Sequence, residues 1–165
     1  INLFRYGYLD HPSLPKDLVE TYKVAVEHYE NLIRNGKIRK FTFFGARAMR
    51  LKEIMQKELI YKVASENKFV TPCTAGTLSY VVWENGNLGP CEILQDTNFN
   101  VTDQMIVDKK TSYRELFKSR HSKALRTKIR ETRCKCTYEC AMSTNTFFSW
   151  NMTKKLIWSY ITNRV

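Results

Sequence analysis

Three cysteines stand within seven consecutive positions, Cys134-Lys-Cys136-Thr-Tyr-Glu-Cys140, and two more, Cys73 and Cys91, lie upstream in a chain of 165 residues. The odd number, the tight cluster and the lack of a signal-peptide pattern argue against a secreted disulfide framework. In a reducing compartment such as the cytoplasm, clustered thiols more often ligate metal or carry redox chemistry. The expectation is a fold that brings sulfurs from distant positions to a common place, against the alternative of five unrelated buried thiols.

The surrounding pattern is globular. Hydrophobic content is 43% and charged content 26%, too apolar for a disordered chain. The longest apolar runs, 41–44 and 78–83, fall far short of the roughly 20 residues that span a bilayer, so no membrane segment is expected. Residues 1–8 read as a short strand. Ser13 and Pro15 then open a helix with Leu18, Tyr22, Val26, Tyr29 and Leu32 or Ile33 at helical spacing, closed by Asn35-Gly36. A second helix is predicted over 46–64, with Met49, Ile54, Leu59, Ile60 and Val63 on its buried side. This resembles the end of an α/β unit.

Past Pro72 a β-rich run over 77–83, turn chemistry at Glu84-Asn85-Gly86-Asn87 and a returning run over 88–94 predict a hairpin. It sets Cys73 before one strand and Cys91 on the other, at the same end of one element. Ser112 is placed to cap a helix with Tyr113, Leu116, Phe117, Leu125 and Ile129 on its apolar side, which delivers the chain to Cys134. Residues 147–161 are aromatic and read as a last helix. The expected class is therefore α+β.

The chain carries a formal charge of +11, and most of it is local. Residues 109–135 hold eleven Lys or Arg and two Glu, a net of +9 from 11 − 2. Such a face attracts phosphates or an acidic partner, or simply solvates the helix. The solvated reading is preferred at this stage, so nucleic acid is not the expected partner.

A [4Fe–4S] cluster needs four thiolates converging on one cube, and a hairpin plus a loop leaving a helix can supply two each. Four cysteines can equally hold zinc, although neither half shows the Cys-x2-Cys knuckle common at zinc sites. The candidate ligands are Cys73, Cys91, Cys134, Cys136 and Cys140.

At these residues the sequence resembles a family. Cys73, with Gly86 after twelve residues and Cys91 four further on, fits the Cys-x(9–15)-Gly-x4-Cys signature of the SPASM and Twitch auxiliary-cluster domains of radical S-adenosylmethionine enzymes. The strings Cys73-Thr-Ala-Gly-Thr and Asn-Leu-Gly-Pro-Cys91-Glu, and the later Cys-x-Cys-x3-Cys, are similar to the same group. The resemblance implies residues 1–70 as the C-terminal remnant of a partial barrel, 71–146 as the cluster domain and 147–165 as a C-terminal helix. It implies an enzyme acting on a peptide or small-molecule substrate.

Departures from the family pattern shape the expectation. Two fully cysteine-ligated clusters need more than five thiols, so one [4Fe–4S] cluster is expected. Cys73, Cys91 and Cys140 are the firmer ligands, and the fourth is Cys134 or Cys136. The family's Cys-x3-Cys-x2-Cys motif, which binds the second cluster and S-adenosylmethionine, is missing, since Cys136-x3-Cys140 leads to Ser143. With Ile1 at the start, the catalytic half is expected in a missing N-terminal barrel, and this chain alone is expected to be inactive. The alternative is a four-cysteine zinc module that binds nucleic acid through its basic helix, and a weaker one is thiol redox chemistry at Cys136 and Cys140.

Other residues carry bland readings beside functional ones. Gly86 is a turn requirement. Gly76 either permits close backbone approach to a cluster or starts a strand. Glu139 is read as a cap, His121 as a surface side chain, and Tyr138 and Trp83 as packing. Lys135 either stabilises thiolate charge or is solvated.

Overall fold

The computed structural model describes residues 14–38, 42–84, 87–94, 105–106 and 113–162. The strand expected at 1–8, the Ser13 cap and the Gly86 turn lie outside them. Six helices dominate: α1 (Lys16–Arg34), α2 (Ala46–Glu66), α3 (Tyr113–Lys118), α4 (Arg120–Glu131), α5 (Glu139–Phe148) and α6 (Trp150–Ile161). Three very short strands, β1 (Val81–Val82), β2 (Asn87–Gly89) and β3 (Met105–Ile106), pair antiparallel in the order β1-β2-β3. The molecule is mostly helical, and α+β describes it only loosely. Among the described residues there is no barrel, and the only parallel pairing is an isolated Ala75–Ser79 bridge.

Helix α1 buries Val19, Tyr22, Val26 and Ile33, a stripe at three-, four- and seven-residue steps. It ends as its sequence dictates. Gly36, at φ +66°, donates to the Ile33 carbonyl, and Lys37 N–H closes the wider loop to the Leu32 carbonyl at 2.9 Å. Helix α2 follows the predicted span closely, but its buried side carries more than apolar residues. Lys52, Gln56 and Lys57 are buried along with Leu51, Leu59, Ile60 and Val63, while Met49 is exposed.

Three elements differ from expectation. The β runs shrink to Val81–Val82 facing Leu88–Gly89, because the segment before them turns instead of extending: Thr77 and Leu78 N–H both bond back to the Thr74 carbonyl. The long basic helix breaks at Ser119, whose hydroxyl accepts the Ser122 N–H at 3.1 Å and caps α4. The last helix splits at Ser149, and its first part, α5, starts inside the cysteine run at Glu139.

One core gathers Leu14, Val19, Tyr22 and Val26 with Leu59 and Ile60 of α2, then Cys136, Met142 and Met152. Burying a side chain such as Ile60, 1% exposed, contributes about 1.5–3 kcal/mol. A second, smaller core holds Ala75, Leu94, Ile129 and Cys134, with Cys73, Cys91 and Leu125 packed against it. Helix α5 joins the two by packing on α2 while reaching the Cys73 loop. Among the described residues, no helix is long and apolar enough to cross a membrane.

Candidate metal centre

Cys73, Cys91 and Cys134 share the smaller core, and Cys136 lies within electrostatic reach of Cys73 and Cys91. Cys134 arrives through the end of α4, which closes as α1 does. Arg133 N–H bonds the Arg130 carbonyl, and Cys134 N–H bonds the Ile129 carbonyl, both at 3.1 Å. That wrap turns the Cys134 side chain back onto Ile129, in the smaller core. The glycine slot of the motif is filled by Arg133 at φ +49°, a left-handed conformation that costs a non-glycine residue roughly 1–2 kcal/mol.

The sulfurs sense one another. The Cys134 thiol donates to the Cys73 sulfur, which favours the Cys73 thiolate and holds the proton on Cys134. Cys134 also feels Cys136 and Cys91, and Cys136 feels Cys73 and Cys91. Burial raises the Cys91 thiol and pushes the Cys136 thiol up to about 12. All five thiols are free of disulfides.

Backbone donors surround these sulfurs. Ala75 N–H donates to Cys73, and Leu94 N–H donates to Cys91 at 3.4 Å with Ile93 N–H beside it. Tyr138 N–H donates to Cys136. The donor in each case lies two or three residues downstream of its cysteine. N–H groups aimed at sulfur stabilise thiolate charge, the form that ligates metal.

Cys140 stands apart. It is exposed on the first turn of α5, and its side chain is hydrogen-bonded to Tyr138, which also bonds Glu92. Of the three firmer candidates, therefore, Cys73 and Cys91 converge and Cys140 does not, while Cys134 and Cys136 both do. The reason is that α5 begins at Glu139 and carries the Cys140 side chain away with its first turn. The redox pair suggested for Cys136 and Cys140 is likewise split between a buried and an exposed thiol.

As arranged, no three His, Cys, Asp or Glu side chains among the described residues are poised to hold a metal ion. The donor set nonetheless fits one. Its chemistry is that of thiolate ligands: Cys134 and Cys136 are buried, Cys73 and Cys91 half-buried, and backbone N–H groups that favour the ionised form reach three of the four sulfurs.

The supports of this centre were not visible in the sequence. Asn145 is 3% exposed on α5, and its Oδ1 accepts both the N–H and the hydroxyl of Thr74 at 2.8 Å, while its side chain also bonds Cys73. Lys57 Nζ meets Glu139 Oε1 at 2.7 Å, and Gln56 Nε2 donates to the Glu139 carbonyl at 2.8 Å. Lys52 donates to Ser143 at 2.8 Å and to Gln56 at 3.0 Å, and desolvation lowers its pKa. These links fasten α5 to α2 directly after the cysteines. Glu139 is thus an ion-pair partner, beyond the cap it was read as.

The remaining residues resolve simply. Gly76, at φ +70°, makes a turn, and an added Cβ would touch Pro90 and Arg126 at 3.5 Å. Lys135 donates to the Asn67 carbonyl. His121 is half-buried. Trp83 packs over Gly89, where an added Cβ would meet its Nε1 at 3.3 Å.

No known protein family matches the chain, and neither a curated protein nor a solved structure is significantly similar to it.

Proposed function

We propose that the chain carries one auxiliary [4Fe–4S] cluster held by Cys73, Cys91, Cys134 and Cys136. On this reading it is the SPASM/Twitch-type region of a radical S-adenosylmethionine enzyme acting on a peptide or small molecule. S-adenosylmethionine and its own cluster are bound elsewhere in the protein, since this chain lacks the Cys-x3-Cys-x2-Cys motif. A reducing compartment such as the cytoplasm suits five free thiols.

The observation that carries the reading is the convergence of Cys73, Cys91, Cys134 and Cys136, three of them bonded by backbone N–H groups from two or three residues downstream. When bound, such a cluster supplies an electron-transfer site or an iron that binds substrate. The protein's own part is to fix the four sulfurs, lower their negative charge through the N–H groups of Ala75, Leu94 and Tyr138, and shield them beneath Ile129 and Leu94. Asn145 orients the Cys73 loop.

Zinc is the second reading, favoured by the same four-thiol set, which is a complete tetrahedral complement. Anaerobic reconstitution with iron and sulfide separates the two. The cluster reading expects a brown protein with about four irons per chain. Colourless protein with stoichiometric zinc and no retained iron overturns it.

A further inference from the structure

A cavity of about 610 Å³ opens beside Cys73, between the 69–77 segment and α4. It lies within the volume range of small-molecule sites. Four cations line it, Lys123, Arg126, Arg130 and Arg133, and no acidic residue does. The first three repeat at three- and four-residue steps on one face of α4, and Arg133 follows at its end. Its floor is apolar, formed by Ala75 and Ile129 with the Phe69 ring at one side.

Two of the cations, Arg126 and Arg133, are held in place. The Arg126 guanidinium donates to the Phe117 carbonyl at 3.0 Å and to Tyr80 Oη at 3.1 Å, and it lies 4.6 Å from the Phe117 ring centre. Arg133 stacks over Phe69 at 5.9 Å. Among the described residues, Lys123, Arg130 and Arg133 make no ion pair with a carboxylate. Arg133 also keeps a large cationic side chain at a left-handed position that favours glycine. Strain of this kind persists at ligand sites.

We infer that this cavity binds a small organic anion, a molecule with at least two negative charges on one side of an apolar body, its charge facing α4 and its body on Ile129 and Ala75. The basic face therefore divides. The cations on the cavity are a recognition surface, while Arg114 and Lys128 lie outside the cavity. The inference stands independently of the metal, because it uses the cavity and its charges alone.

The test uses the whole chain, as isolated and after reconstitution, with 1-naphthyl phosphate, phthalate, inorganic phosphate and a short single-stranded oligonucleotide as probes. Saturable one-to-one binding of naphthyl phosphate or phthalate is expected, with whichever binds more tightly naming the anionic group. Either should bind about tenfold or more tightly than inorganic phosphate, which has no apolar body. Arg130→Gln and Arg133→Gly should each weaken binding by about tenfold or more, whereas Arg114→Gln and Lys128→Gln leave it unchanged. Arg133→Gly retains the turn, so a loss there with an undiminished melting temperature is a loss of recognition and not of fold. No saturable binding at millimolar concentration overturns the inference. Equal losses in all four variants overturn it too, as does oligonucleotide binding that outcompetes both organic probes. Binding in both preparations, with or without iron, keeps this result separate from the metal proposal.

Discussion

The two cores of this molecule are built on different terms. The helical core buries a long list of aliphatic and aromatic side chains from α1, α2, α5 and α6, and it is cross-linked by the Lys57–Glu139 ion pair. Among the described residues the smaller core has Ala75, Leu94, Ile129 and Leu125 besides its sulfurs, and α4 is the one helix that contributes to it. The first holds itself together by apolar burial. The second has less apolar surface to offset the entropy of ordering its chain, and the proposed cluster would act there as a staple. Cys136 lies near their boundary: it packs in the helical core while sensing Cys73 and Cys91.

That contrast can be broken most sharply by withholding the metal. Chelated protein is expected to lose hydrogen-exchange protection across 71–94 and 120–136 while α1 and α2 keep theirs. Structural metals contribute on the order of 10 kcal/mol. Equal protection of both regions after chelation would mean that the small core is self-sufficient.

The ion pair tests the other side. Glu139→Ala strands the Lys57 ammonium, whose side chain is 5% exposed, and should lower stability by roughly 3 kcal/mol in chemical denaturation. The nearby Glu53 carboxylate, 3.8 Å from Lys57, keeps the loss from being larger. At the junction between the cores, Asn145→Leu leaves the Thr74 N–H and hydroxyl without their acceptor. It should cost about 2 kcal/mol and also shift the absorption or potential of the reconstituted centre, a readout that a purely structural residue would leave alone.

The pH dependence of the metal-free protein follows from Cys136. Its folded thiol is raised to about 12, whereas an unfolded cysteine ionises near about 8.5. Below about pH 8.5 both states keep the proton and the contribution is complete. As pH climbs toward 12 only the unfolded chain ionises, and stability falls. Metal-loaded protein should lack the Cys136 part of this decline, because its sulfur is already deprotonated, and keep only the part above about pH 10 from the raised tyrosines Tyr22 and Tyr29; it should lose metal as pH falls instead. Melting curves of the two forms across pH 7–11 distinguish them. The smallest effect is expected at Arg133→Gly, a gain of up to about 1 kcal/mol from relief of the left-handed backbone.

The sequence reading was strongest where one rule governed one segment. The stripe of Tyr22 and Val26 and the Asn35-Gly36 ending placed α1, and the span of α2 was right to within two residues of its end. It failed where a short polar interaction overrode periodicity. Ser119 cut a continuous amphipathic pattern in two by capping α4, and the chain breaks again at Ser149, in extended backbone without a side-chain cap, before α6. Lys52, Gln56 and Lys57 were not among the expected buried side of α2, because charged and amide side chains normally face solvent; their partners on α5, invisible in one dimension, make burial tolerable. For the site, the grouping of Cys73, Cys91 and Cys134 in the smaller core agrees with the spacing, whereas which of the later thiols would be exposed did not follow from it. That choice depended on where α5 starts. Glu139 in its first turn, favourable at a helix N-terminus, was the available signal that Cys140 would be helical.

The most direct measurement is the iron and sulfide content of anaerobically reconstituted Cys136→Ser and Cys140→Ser side by side with the parent chain. The account predicts about four irons per chain in the parent and in Cys140→Ser, and loss of the cluster in Cys136→Ser. Full retention in Cys136→Ser with loss in Cys140→Ser would contradict it, because the buried sulfur would then be packing and the exposed one the ligand.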